Sequence, residues 1–264
     1  MTELAAQIGS GVAIVGAGVF GLCTYALFAP ASQLFFPVVS RGDGSLPDRV
    51  ALTFDDGPGP GTGPILDTLR DTGVQAAFFV IGANAERYPD LVRRMDKEGH
   101  IVANHTYDHR HWASLRTPGY WREQLLRTDQ VIEGILGMRP AFFRPPLGRK
   151  SWWMTGPLRQ SGHVAVCWTR RAFDGVPTTP EKILTRMVAP ARAGEILVLH
   201  DGQEPDRSRD PAPTIAALAP MVRGIRERGL EFERLDRLIG LNAYSPAPTE
   251  RDESAGVEPE AARA

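Results

Sequence analysis

Short apolar runs alternate with longer amphipathic stretches along most of this chain. Runs rich in Val, Ile, Leu, Phe and Ala predict strands at 49–54, 75–81, 101–104, 141–144, 163–168, 195–200 and about 230–234. Between them, apolar positions recur at helical spacing near 63–72, 86–98, 118–137, 151–161, 179–190 and 211–228. Strands that alternate with helices imply parallel pairing through crossover connections, hence an α/β fold. Five of the apolar runs lead into segments bearing Asp, His or Arg. Chemistry drawn from that many strand ends is more natural to a barrel than to a doubly wound sheet.

The two ends of the chain break this alternation. No charged residue occurs from Leu4 to Ser40, and 11–29 is nearly all apolar or small. Within it, Gly16-Ala17-Gly18-Val19-Phe20-Gly21 follows Val12-Ala13-Ile14-Val15 and matches the G-x-G-x-x-G pattern of dinucleotide sites. Such a domain needs further strand–helix units before any catalytic part, yet an aspartate block begins at Thr53. A membrane helix over residues 8–30 is the expectation instead, since about 20 apolar residues span a bilayer. Small residues at Ala13, Ala17 and Gly21 suit a packed membrane helix. A cleaved signal is disfavoured, because Glu3 precedes the run and no Lys or Arg does. Arg41 and Arg49 follow the segment and point weakly to a cytoplasmic location for that side. Beyond Asn242 the chain turns to Pro, Glu, Ala and Arg without periodicity, so 244–264 is expected to be a disordered tail. The predicted division is a membrane segment at 1–40, a catalytic domain at 41–243 and the tail.

The strand ends carry the chemistry. Thr53-Phe54-Asp55-Asp56-Gly57-Pro58 places two adjacent carboxylates after a buried-type strand, and a Gly/Pro turn follows. Adjacent carboxylates repel, and a metal ion relieves this by binding one while the other stays free as a base. A plain surface turn is the competing reading, since Asp and Gly are ordinary turn residues. Asn104-His105-Thr106-Tyr107-Asp108-His109 spaces two imidazoles four apart, and one helical turn would put both on one side of a metal. Phe143-Arg144-Pro145-Pro146-Leu147-Gly148 presents a guanidinium from a proline-stiffened loop. The segment Trp168 to Asp174 follows Val164-Ala165-Val166, and Ile196 to Leu199 leads into His200-Asp201-Gly202.

These five blocks, in this order, resemble the polysaccharide deacetylases of carbohydrate esterase family 4, over roughly Arg49 to Leu238. The resemblance implies a distorted (β/α) barrel of about seven parallel strands. It makes Asp55 the general base, and it makes Asp56, His105 and His109 ligands of a divalent metal, Zn²⁺ first with Co²⁺ or another ion as alternatives. It gives Arg144 the orienting and tuning of Asp55, His200 the role of general acid, Asp174 its pairing, and the Leu147 backbone N–H a share of the oxyanion. Two departures stand out. The family often has an aromatic residue at the Leu147 position. Its fourth block usually has Asp at position 171 and Trp at 175, where this chain has Arg171 and Gly175. The acetyl pocket would then be less enclosed unless Phe173 or Trp168 fills it.

The implied activity is removal of N-acetyl groups from amino sugars of an oligo- or polysaccharide, with release of acetate. An enzyme of wall polymers belongs outside the cytoplasm, opposite to the arginine signal. Two rivals are carried: a hydrolase of the same fold acting on another C–N bond, and a non-catalytic carbohydrate-binding protein. At 264 residues and 42% hydrophobic content the chain can bury a single sizeable core. A net charge of −1 gives no sign of a nucleic-acid partner. Cys23 and Cys167 imply neither a disulfide framework nor a Cys metal site. A monomer is expected.

Overall fold

The computed structural model describes residues 21–205 and 207–245. Its strands are β1 (Val38–Val39), β2 (Arg49–Asp55), β3 (Ala76–Val80), β4 (Ile101–Asn104), β5 (Arg139–Pro140), β6 (Phe142–Phe143), β7 (Val164–Val166), β8 (Arg170–Arg171), β9 (Ile196–His200), β10 (Glu231–Phe232) and β11 (Tyr244–Ser245). Eight of them form one parallel sheet in the order β1-β7-β6-β4-β3-β2-β9-β8, and β10 adds to the start of β2. The path ends at β1 and β8, which do not pair with each other, so the barrel is distorted and open along that seam.

The inner strands are apolar on both faces because both faces are covered. Along β2 and β3 successive side chains point to opposite sides of the sheet. Val50, Leu52, Phe54, Phe78 and Val80 pack with Ile65, Leu69, Leu218 and Met221 of the surrounding helices. Ala51, Ala77 and Phe79 join Phe143, Val166 and Val198 in a second cluster.

Helix punctuation follows the sequence. Thr117 caps Pro118–Leu136 by accepting from the Tyr120 N–H, and Gly137 ends it in the left-handed conformation. The helix predicted over 86–98 is instead two, Gly82–Arg87 and Pro89–Lys97. The break falls at Tyr88 because Pro89 disfavours helical backbone in the residue before it and starts a new helix well. The stretch 151–161 likewise divides into a 3₁₀ turn, Trp152–Met154, and a helix, Thr155–Ser161. Strands β1 and β8 and the helix Leu235–Ile239 are too short to show a period, and the sequence pattern does not reveal them.

The domain takes in residues on the near side of the expected boundary at 41. Val38 and Val39 extend the sheet beside Ala165 and Val166, and Phe36 and Val38 are buried. Residues 21–28 are helical. The Leu27 carbonyl accepts from the Lys150 N–H at 3.0 Å. The buried Lys150 Nζ donates to the Ala29 and Pro30 carbonyls at 2.7 and 3.2 Å. At the other end, Tyr244 and Ser245 pair with β5, one strand past the expected start of the tail. Residues 8–20 of the expected membrane helix, with Gly16 and Gly18, lie outside the described residues, as does 246–264. Among the described residues no helix is long and apolar enough to cross a membrane.

Candidate active site and metal centre

Parallel register puts Asp55 at the end of β2 directly beside His200 at the end of β9. Asp55 is 3% exposed, and its Oδ1 lies 2.5 Å from Arg144 Nη1. Arg144 has no exposed surface. Its remaining donors reach Thr53 Oγ1 and the carbonyls of Val166 and Cys167 at 2.9 to 3.2 Å, and its guanidinium lies over the Phe79 ring. A buried charge tolerates burial only when paired and hydrogen-bonded, and Arg144 is paired and has a partner on each of its three nitrogens.

Asp56 follows with φ 70° and turns away from the strand. Its Oδ1 sits 3.4 Å from His105 Nε2 and 3.2 Å from His109 Nε2. The helical turn expected for the two histidines is absent. They sit in a loop after β4, brought together by left-handed backbone at Thr106 and at His109 itself, φ 69° and 49°. The Asn104 side chain accepts from the Thr106 N–H, and Gln124 Oε1 accepts from the N–H groups of Tyr107 and Asp108. The rings end 4.8 Å apart.

Tautomers test whether these residues fit a cation. His105 Nδ1 lies 2.7 Å from the Arg144 carbonyl, which can only accept, so Nδ1 carries the proton. Nε2 of a neutral His105 is then bare and faces the Asp56 carboxylate. Two lone-pair sites turned toward each other in a buried place call for a cation between them. Asp56 Oδ1 is buried with no hydrogen-bond partner. One carboxylate and two imidazoles form a donor set suited to Zn²⁺ or a similar ion. His109 Nδ1 faces Glu204 Oε1 at 3.5 Å, and Glu204 also contacts His111 Nε2 and pairs with Arg207 at 3.0 Å. Burial works to raise the Asp56 carboxyl, but His109, His105 and His200 outweigh it and hold it well below the usual range.

On the other side of Asp56, His200 Nε2 stands 4.0 Å from Asp56 Oδ2. His200 Nδ1 bonds Asp174 Oδ1 at 2.8 Å, while Asp174 Oδ2 accepts from the His200 N–H and from Thr214 Oγ1. Burial opposes charge on His200. Asp174, followed by Asp56 and Asp55, outweighs it and lifts the imidazole to about 9. Gly202 allows the two strand-end loops to meet, because a Cβ there would lie 2.3 Å from the Asp56 carbonyl.

A cleft of about 350 Å³ opens over these groups, walled by Leu147, Trp168, Phe173 and Val176 on one part of its rim and by Phe28 and Arg149 on another. Trp168 is 7% exposed and Phe173 44%, so the indole is part of the floor and the phenyl ring part of the mouth. Gly175 leaves the His200 ring uncovered, since even a Cβ would only touch it at 3.5 Å. Asp56, Thr106, His109, Leu147 and Phe173 all have positive φ. Such strain costs about 1–3 kcal/mol per residue and gathers where surroundings fix a functional geometry.

The structure thus gathers Asp55, Asp56, His105, His109, Arg144, Leu147, Asp174 and His200 around one cleft. Glu204, Thr214 and Phe28 are part of the same neighbourhood, and none was singled out from the sequence. Glu204 lies only two residues past the His-Asp-Gly block, which is the one signal that marks it.

The polysaccharide deacetylase family model matches residues 43–165. A chitooligosaccharide deacetylase from Bradyrhizobium is 33% identical over 205 residues, which cover 75% of this chain and 93% of that protein. The chain belongs to the polysaccharide deacetylase family. A second family member, a peptidoglycan-N-acetylglucosamine deacetylase from Bacillus cereus, is 34% identical over 157 residues, or 58% of this chain. The match spans 55% of that relative's length. Among solved structures of the family, the Bc1960 peptidoglycan N-acetylglucosamine deacetylase, held in complex with a hydroxamate-type benzamide, superposes with a TM-score of 0.72. It is 26% identical, and the match covers 78% of this chain and 94% of that one.

Proposed function

We propose that this chain is a divalent-metal-dependent hydrolase that removes N-acetyl groups from amino sugars of an oligo- or polysaccharide. The observation that carries the reading is the set Asp56, His105 and His109, with the bare His105 Nε2 and the His109 Nε2 turned on one carboxylate, between a second carboxylate and a charged histidine. Asp56, His105 and His109 hold the cation, Zn²⁺ by their donor chemistry, and when bound it polarises the amide carbonyl and acidifies water. Asp55, paired with Arg144 at 2.5 Å, takes the proton from the attacking water. The Leu147 N–H contributes to holding the oxyanion, where one well-placed donor is worth roughly 3–4 kcal/mol. His200, held protonated by Asp174, gives its proton to the departing nitrogen, which leaves as a free amine. Acetate is the other product. A non-catalytic role would predict loss of a base, ligand or acid, and all five groups are present in one cluster.

Attachment to a membrane through residues 8–30, with a monomeric catalytic domain on the extracytoplasmic side, completes the proposal. Its support is the uncharged run from Leu4 to Ser40 and the location of wall glycans. Carbonate extraction of membranes from cells making the full chain tests it, and release of the protein into the soluble fraction would overturn it. The activity is tested by acetate release from N-acetylated glycans before and after chelation. Chelation should abolish turnover and added Zn²⁺ restore it, and full activity in excess chelator would sink the assignment.

A further inference from the structure

Two arginines stand in the mouth of the cleft without a carboxylate partner. Arg171 is exposed and lies over the Phe173 ring at 3.8 Å from its centroid, with Arg186 over the same ring at 5.3 Å. Arg186 is occupied by the Ala172 carbonyl and Thr178 Oγ1. Arg149 is half-buried, lies 5.4 Å from the Phe28 centroid, and spends one donor on the His111 carbonyl at 3.1 Å. Among the described residues neither Arg149 nor Arg171 forms an ion pair. Both line the cleft that also contains Asp55, Asp56 and His200.

The other charges of the cleft are accounted for. Asp55 is neutralised by Arg144 and His200 by Asp174. Asp56 belongs to the metal set. Arg149 and Arg171 are therefore the side-chain charges of the cleft left without a counter-charge for an incoming substrate to meet. A guanidinium stacked on an aromatic ring uses its π-face and leaves its in-plane N–H groups free, and that fork matches a carboxylate or phosphate. Phe173 also holds Arg171 from a left-handed position, φ 56°, so the stack is fixed by the backbone.

Resting on the deacetylase reading, we propose that Arg149 and Arg171 bind an anionic group, carboxylate or phosphate, carried by the substrate close to its N-acetyl group. The preferred substrate is then an acidic amino-sugar glycan, and a neutral one is second best.

The test uses the full chain loaded with Zn²⁺ and three oligosaccharides of one backbone: neutral N-acetylated, the same with a carboxylate-bearing ether, and the same with a phosphate ester. The unaltered chain should favour one or both acidic forms over the neutral one by about tenfold in kcat/KM, the size of one charge-assisted contact. That preference should shrink as salt is raised. Arg171→Gln and Arg149→Gln should each cut it through KM, while Arg171→Lys should keep part of it. Preference for the carboxylate alone or the phosphate alone identifies which anion is read. Equal use of all three forms, with the ratio unmoved by either substitution, overturns the inference and leaves the deacetylase reading intact. Should none be turned over, the deacetylase reading fails. Binding to His200→Ala, followed by calorimetry, then decides the anion preference on its own, because tighter binding of an acidic form sustains it and equal binding ends it.

Discussion

The two ion pairs proposed to handle protons are built from the same chemistry and placed in different surroundings. Asp55 with Arg144 lies inside the barrel, with Arg144 wholly enclosed and braced by two carbonyls and a threonine. His200 with Asp174 lies at the rim, with the imidazole 23% exposed and a glycine where a side chain could cover it. Each is an ion pair, and in the second the aspartate keeps the imidazole charged. The inner pair is also part of the core, so its chemistry and the stability of the fold are not separable. In the rim pair the imidazole can be altered with little effect on packing, whereas Asp174 is itself buried and also accepts from the His200 N–H and Thr214.

The largest effect should come from Arg144→Ala. Removing one partner of a buried pair leaves an uncompensated charge, and about 3–5 kcal/mol of stability should go with turnover. A melting temperature equal to that of the unaltered chain would show that the inner pair is not structural. Asp55→Asn keeps the shape but strips Arg144 of its counter-charge. It should lose roughly 10²–10⁴ in rate together with a smaller share of stability, so the Asp55 position cannot be read as purely catalytic. His200→Ala should lose a similar roughly 10²–10⁴ in rate at nearly unchanged melting temperature. Equal melting losses for the two would erase the distinction between core and rim.

Glu204→Gln sharpens the comparison at the metal. His105 is oriented by a carbonyl, and the Glu204 carboxylate faces His109 Nδ1 at 3.5 Å; if it closes on that nitrogen when a metal is bound, its loss should lower metal affinity by about 10–100-fold. A metal titration that shows no change would remove Glu204 from the site. The smallest effect concerns pH. His200 donates a proton only while charged, and its raised value keeps it charged well above neutrality, so turnover should fall as pH rises toward about 9. A bound cation opposes that charge, which makes about 9 the upper limit for the fall. Asp174→Asn removes the largest supporting charge and should move the fall to lower pH. An alkaline fall at the same pH in both proteins would mean that another group titrates.

Most of this site was legible because each block follows an apolar run that becomes a strand, and parallel register does the rest. Asp55 and His200 are 145 positions apart in the chain and adjacent in the sheet. The barrel and the positions of its long strands were readable for the same reason. His105 and His109 were grouped correctly on a wrong premise, since the spacing of four suggested a helical turn and the loop is made by Asn104, Thr106 and Gln124. Glu204 and Phe28 were hidden because their partners lie far away in sequence. Glu204 meets His109 across 95 positions and Phe28 meets Arg149 across 121. No local pattern records such contacts. The vacancy left by Gly175 was visible, but that Trp168 floors the cleft and Phe173 stands at its mouth required the fold.

The bonds from Lys150 to Ala29 and Pro30 also set where this protein can be shortened. A chain cut at residue 41 would lose strand β1 and bare the edge of β7, an invitation to pairing between molecules. It would also strand a buried ammonium with neither of its acceptors. Soluble material for crystals or kinetics should therefore keep Ala26 and everything after it, although the recognisable family sequence starts only at residue 43.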